Sequence, residues 1–424
     1  MHAIEKILAR AAGRDSVTTG QILNCRVDLA EVNDLYPQTI LSFHEMGGKR
    51  VYSPDRLTFI LDHYAPASSI QQAENQKLIR EFCHDQGIEL LFDVNSGVCH
   101  QVMVDYGLVY PGMVLIATDS HTTTHGAFGA FGTGVGATDL AVIMATGHLW
   151  LRVPEIIRIH LSGDLSAGVY VKDAILHIIG KLGADYAIYK GVEFVGSAVT
   201  SLSVSERMAL CNMTTEMGAK CAYIQPDDVT FEFLKDKVKQ DFAPVESDPN
   251  FQYAEELFFD VSSIQPQLAT PSSVDNVRPL SDLVGTPVHQ AYLGSCTGGR
   301  AEDIAVAARI LKGQRVNKNT RLVVVPASQQ VYLESLRKGD VEILVEAGAT
   351  FVTPGCAACL GTHEGILASG EVCIASTNRN FPGRMGHTKS VIYLGSPAAV
   401  AAAALNGHIA DPSTIIANLE QESL

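Results

Sequence analysis

The sequence predicts an α/β protein with largely parallel sheets, and three observations carry that prediction. Short β-branched runs alternate with helical patterns along the chain: residues 114–117, 156–159 and 321–325 read as buried strands. Residues 301–312 and 329–336 carry apolar side chains at helical spacing. The 424 residues are 46% hydrophobic and 18% charged, ample material for cores and, at about 150 residues each, for roughly three domains. No repeat of solenoid period is present.

The first ten residues predict an amphipathic helix with Ile4, Ile7 and Leu8 on one face. They lack the apolar stretch of a secretion signal and carry an early acid at Glu5. The longest apolar run, 398–405, is alanine-rich and too short to span a bilayer. A net charge of −15 excludes a broad nucleic-acid or anionic-membrane surface, but not a small anionic substrate met by a few arginines in a cleft. The nine cysteines, an odd number with no secretion signal, point to a reducing, cytoplasmic setting and to metal or catalytic roles.

The clearest break is 243–287, whose six prolines and many polar residues predict no regular element. A weaker break lies at 151–154, giving three segments: 1–155, 156–280 and 281–424. Residues 126–136 are rich in glycine, but the spacing is not the dinucleotide fingerprint and no acidic ribose partner follows about 20 residues on. Nor do His121 and His125 form a zinc-protease helix, since Thr122 stands where the glutamate belongs. Close backbone packing under a loop accounts for the glycines.

Chemistry concentrates in a few loops. Cys296 lies in Gly294-Ser295-Cys296-Thr297-Gly298-Gly299-Arg300, between a strand end and the helix expected from Ala301. A helix dipole there would lower the thiol pKa. Cys356 and Cys359 follow a strand-like run at 349–352. Alone, this CxxC could be a redox dithiol, half a zinc site, or chance. Structural zinc needs four protein ligands, and no second pair stands nearby. Three thiolates without a fourth suggest an iron–sulfur cluster with one iron open to substrate. Cys25, Cys83, Cys99, Cys211, Cys221 and Cys373 read as small buried hydrophobes.

Asp62-His63 and Asp119-Ser120-His121 each place a carboxylate and an imidazole just past a predicted strand. A carboxylate fixes the ring's tautomer and raises its pKa, arming it as a proton donor. Such general acid–base help is worth about 10²–10⁴ in rate. Each step alone could equally be a turn cap beside an interior histidine; two such steps beside the cysteine loops favour function. His100 and Glu216 are unremarkable in isolation. Thr377-Asn378-Arg379-Asn380-Phe381-Pro382-Gly383-Arg384 is irregular, with two arginines suited to bidentate carboxylate binding. Apolar Phe381 and the strand at 373–375 favour an interior loop over a solvated one.

These loops, in this order and spacing, resemble the aconitase family over nearly the whole chain. The resembling segments also include residues 97–101 and Cys211-Asn212-Met213 through Glu216. The resemblance implies three α/β domains around a central cleft, with Cys296, Cys356 and Cys359 holding one [4Fe–4S] cluster whose fourth iron has no protein ligand. It implies that His63, supported by Asp62, protonates a leaving hydroxyl. His100, Asp119, His121 and Glu216 would surround the iron-bound oxygens. Arg379 and Arg384 would hold substrate carboxylates, with Asn33 adding a polar contact.

The implied reaction is dehydration and rehydration of a small hydroxy-diacid. Isopropylmalate is expected first, with 2,3-dimethylmalate, citramalate and homoaconitate as alternatives. Gly298 departs from the family's usual asparagine, removing a possible hydrogen bond near the cluster. The family's small swivelling domain, with its serine base and a further arginine, has no counterpart here, so a separate small subunit is expected to supply it. From other classes, a non-catalytic metal- or RNA-binding regulator on this fold runs against the acidic charge and the acid–base residues. A thiol–disulfide oxidoreductase using Cys356 and Cys359 predicts a colourless protein.

Overall fold

Two sheets bring the carboxyl ends of their parallel strands to one cleft. The structure, a computed structural model, describes residues 1–422. The first sheet runs Leu91–Phe92, Leu57–Ile60, Leu29–Asn33, Val114–Ala117, Phe131–Gly134, all parallel. Successive strands add on one side of Leu29–Asn33 and then, from Val114–Ala117, on the other. That reversal opens a crevice between the two strands, the usual place for a ligand in an open α/β sheet.

The second sheet, seven strands from the carboxyl-terminal part, has its own reversal. Its parallel strands run Val391–Leu394, Val372–Ala375, Gln290–Leu293, Arg321–Val324, Thr350–Phe351. Here the crevice opens between Gln290–Leu293 and Val372–Ala375, so the loops at 294–300 and 376–384 flank it. Between these sheets in sequence lies a parallel four-stranded sheet, ordered Cys221–Tyr223, Gly191–Val195, Ile156–Ser162, Glu255–Asp260. A ribbon pairs Ile22–Arg26 antiparallel with His148–Arg152.

Helices form where apolar spacing and caps agree. Ala3–Ala11 buries Ile4, Ile7 and Leu8 completely, and His2 and Glu5 close a reciprocal cap over its first turn. Ala301–Leu311 and Gln329–Lys338 match their predicted positions within two residues. The alanine-rich run forms Pro397–Asn406, buried on every face from Ala398 to Ala404. Among the described residues no helix is long and apolar enough to cross a membrane.

The stretch 243–287 departs from expectation. It contains Glu255–Asp260, Gln267–Ala269 and Val277–Pro279. Glu255–Asp260 is an edge strand with an exposed side, so its acidic residues need no burial. Val277–Pro279 is the outermost strand of the seven-stranded sheet, where a proline's missing N–H breaks no central ladder. The glycine-rich segment behaves as read: a Cβ at Gly132 would sit 2.4 Å from the Thr122 carbonyl, and one at Gly134 2.5 Å from that of Asp119. Glycine there lets the Ser120–Phe128 turns lie directly on the strand.

Candidate active site

Past Leu57–Ile60 the chain turns sharply at Asp62-His63, and a buried carboxylate shapes that turn. Asp34 Oδ1 accepts from the backbone N–H of Asp62 (3.2 Å) and His63 (2.8 Å), and Oδ2 from that of Tyr64 (3.1 Å). The imidazole is held at both ends. His63 Nδ1 lies 2.6 Å from Asp62 Oδ1, and Nε2 lies 3.6 Å from Asp119 Oδ2. Burial opposes a charge on this ring, but Asp62 and Asp119 outweigh it and hold the pKa well above the usual histidine value. The two carboxylates therefore favour the imidazolium form of His63.

Asp119, past Val114–Ala117, is the next hub. Its Oδ1 faces His100 Nε2 at 3.0 Å and accepts the His121 backbone N–H at 2.7 Å. Burial pushes its pKa up, yet His100, His121 and His63 together hold it well below the carboxylate range. His121 Nε2 lies 2.7 Å from Glu216 Oε1. The same oxygen accepts from Arg379 Nε at 2.9 Å, and Arg379 Nη2 reaches Ser120 Oγ at 3.0 Å. Glu216 is thus a partly buried ion-pair partner, with His121 and Arg379 overcoming its desolvation to lower its pKa.

The three cysteines meet this array. Cys296, Cys356 and Cys359 line the same cleft, of about 700 Å³, as His63, His100, Asp119, His121, Arg379 and Arg384. Both cysteine loops hold a non-glycine residue in the left-handed region, Ser295 (φ 78°) and Ala357 (φ 48°). Such residues cost about 1–3 kcal/mol each and concentrate at functional loops. The Cys356 amide donates to the Asp62 carbonyl at 2.9 Å, and a Cβ at Gly355 would lie 2.8 Å from that oxygen.

Donors point at the sulfurs. Cys296 Sγ accepts from Asn212 Nδ2 at 3.1 Å and Asn378 Nδ2 at 3.4 Å, and Cys359 Sγ from Arg384 Nη2 at 3.8 Å. Two amides therefore serve Cys296 despite the absence of an asparagine at 298. A Cβ at Gly298 would lie 2.4 Å from Ser376 Cβ, so this loop has no room for a side chain there. Burial acts against the expected helix-dipole lowering at Cys296. The helix begins only at Ala301, and burial pushes the thiol up to about 12. Cys359 goes the other way, to about 5, because the Cys356 thiol donates to it and Arg384 faces it.

The donor set fits an iron–sulfur cluster. Among the described residues, groups of three ligand atoms mutually within 4.8 Å are Cys99–His100–Asp119 and Asp34–Asp62–His63. The three loop sulfurs form no such tight group, which suits a polynuclear centre better than a single ion. The hydrogen bonds around them are those that stabilise thiolate ligands.

One predicted residue stands apart. Asn33 is fully buried behind the cleft wall, its Oδ1 accepting from the Leu35 amide at 3.2 Å, while Leu35 and Tyr36 form the wall itself. Phe381 does not bury the arginine loop; it is exposed, and Thr377, Asn378, Asn380 and Arg384 are the buried members. The six remaining cysteines are buried and free, as read. Sequence reasoning missed Asp34, Asn212 and Asn378 as working residues, though each lies within a segment already singled out. Lys172 gave no signal beyond a cation in the first turn of a largely apolar helix, Val171–Leu182.

Comparison with known proteins agrees with this geometry. The sequence model of the aconitase family (aconitate hydratase) matches residues 5–287 and 281–407. The chain is 49% identical to 3-isopropylmalate dehydratase large subunit 1 of Methanopyrus kandleri, covering 96% of this chain and 98% of that one. It is 48% identical to a probable methanogen homoaconitase large subunit of Methanothermobacter thermautotrophicus, covering 97% of each. In fold it is similar to the crystal structure of Thermococcus kodakaraensis aconitase X in its holo-form (TM-score 0.50, 13% identity, 92% and 93% of the two chains). With the match running almost end to end, the chain belongs to the aconitase family of hydro-lyases.

Proposed function

We propose that the chain is the large subunit of a two-part, cytoplasmic hydro-lyase that interconverts 2- and 3-isopropylmalate in leucine biosynthesis. One [4Fe–4S] cluster, held by Cys296, Cys356 and Cys359, would have one iron without a protein ligand. The observation that carries this reading is the meeting of three cysteine sulfurs and the Asp62-held His63 in one cleft. When bound, the cluster supplies a Lewis acid for the departing hydroxyl.

The chain's own residues do the rest. His63, charged and oriented by Asp62, gives its proton to the leaving oxygen. His100, Asp119, His121 and Glu216 form a connected polar wall that fixes the orientation of substrate oxygens. Arg379 and Arg384 each bring a guanidinium to the cleft for a substrate carboxylate. The relatives are named as large subunits, and by analogy a small subunit carrying the swivelling domain would supply the base and close the cleft. The segments 1–155, 156–280 and 281–424 are the proposed units, with strands at 267–279 strapping the second to the third.

The names of relatives divide between isopropylmalate and homoaconitate at nearly equal identity. Homoaconitate is therefore the second reading, ahead of 2,3-dimethylmalate and citramalate. The test is an oxygen-free preparation with the co-purified small subunit, assayed for iron, sulfide and turnover on branched malates and homocitrate. A brown protein with about four irons per chain and turnover on isopropylmalate is expected. An iron-free preparation with full turnover, or full turnover by this chain alone, would overturn the reading.

A further inference from the structure

A buried ammonium lies behind the cysteine loop. Lys172, in the first turn of Val171–Leu182, is 1% exposed. Its Nζ donates to Thr297 Oγ1 at 3.0 Å, to the Ser376 carbonyl at 3.0 Å and to the Thr377 carbonyl at 2.7 Å, and lies 3.8 Å from Met213 Sδ. All four partners are neutral. Thr297 follows Cys296, Thr377 precedes Asn378 and Arg379, and Met213 precedes the Thr214–Met217 turn that carries Glu216. One nitrogen joins three loops of the site.

Tethering alone does not call for a cation. A neutral amide could donate to the same carbonyls without the several kcal/mol that burying an ion costs. A buried charge persists where opposite charge lies near enough to offset it. The acidic groups whose negative charge would act on Lys172 are Cys296, Asp303, Cys359 and Glu216, the two cysteines as the thiolates that a cluster requires, and none is among its hydrogen-bond partners. Two of the four are the sulfurs assigned to the cluster.

We propose that Lys172 is a positioning residue and the buried counter-charge of the cluster: its ammonium offsets the negative charge of the sulfurs and their cluster, while its hydrogen bonds fix the Cys296 and Arg379 loops. This rests on the cluster reading above. Adding an electron makes the centre more negative, and a fixed cation in a low-dielectric interior favours that state. Loss of the charge therefore lowers the reduction potential.

The test compares Lys172→Gln and Lys172→Met with the wild-type holoenzyme, small subunit included, by spectroelectrochemical titration. Gln keeps a donor and loses the charge; Met loses both. Both variants should disfavour reduction about tenfold or more, about 59 mV for each factor of ten. A Gln variant with the wild-type potential overturns the proposal, because a neutral donor then suffices. If neither variant takes up iron, circular dichroism of the iron-free chains decides. A natively folded Gln variant that cannot hold the cluster supports the counter-charge, whereas loss of fold in both assigns Lys172 to structure alone and overturns it. Failure of the wild-type chain to take up iron would instead sink the cluster reading, before any variant is made.

Discussion

The Cys356 backbone N–H donates to the Asp62 carbonyl at 2.9 Å, so the loop that supplies two sulfurs and the loop that supplies the acid are hydrogen-bonded to each other. Gly355 makes that approach possible, since a Cβ there would meet the same carbonyl at 2.8 Å. In Gly355→Ala the two loops must separate, at about 1–3 kcal/mol by analogy with overpacking. Iron content and turnover should fall together in this variant. Loss of turnover with full iron and an unchanged denaturation midpoint would contradict the linkage.

Cys356→Ser should lower iron content, whereas His63→Ala should keep the cluster and lose about 10²–10⁴ in turnover. Iron and sulfide assays alongside single-substrate kinetics separate the two. Normal iron and activity in Cys356→Ser would remove it from the ligand set.

His63 has its pKa raised well above the ordinary value by Asp62 and Asp119 against the effect of burial. The sign follows directly. The proton-bearing form, and the stability its ion pairs add, is complete below the unfolded histidine value of about 6.5 and is lost as pH rises through the folded value. Dehydration should therefore fall on the alkaline side. Asp62→Asn should move that limb to lower pH; a limb that stays put would assign it to another group.

Arg379 shares Glu216 with His121 and is further held by Ser120. Arg379→Lys keeps a charge but loses the fork, so KM should rise about ten- to a hundredfold, from a charge-assisted bond worth about 1.5–3 kcal/mol. An unchanged KM across substrates would place the diacid elsewhere in the cleft.

Glu31, fully buried on Leu29–Asn33, has neither carboxyl oxygen hydrogen-bonded. Burial, with Asp62 and Asp119 adding to it, raises its pKa well above the usual range. The folded state then holds a proton that the unfolded chain releases, so this residue's favourable contribution is complete at low pH and fades as pH rises. Glu31→Gln should gain stability over wild type between about pH 5 and pH 8, read by denaturant midpoints. A difference independent of pH would mean that Glu31 is charged and paired.

The site was more legible than its support. Asp62, Asp119, Cys296, Cys356 and Arg379 announced themselves because each lies just past an apolar strand-like run, and in parallel sheets chemistry gathers at strand ends. Asp34 and Lys172 did not, because their roles depend on which strands neighbour one another and on what a helix packs against. Residues 243–287 misled for a related reason: edge strands accept prolines and acids that a central strand would reject. For Cys296 the dipole argument left out burial, which opposes the thiolate.

Glu216 Oε1 receives hydrogens from a histidine and from an arginine at once, and that sharing constrains what the cleft can accept. Swinging the guanidinium toward a longer or bulkier guest would strip a contact from the imidazole's anchor. On the proposed role of Arg379, that corner would be a rigid gauge for a substrate carboxylate.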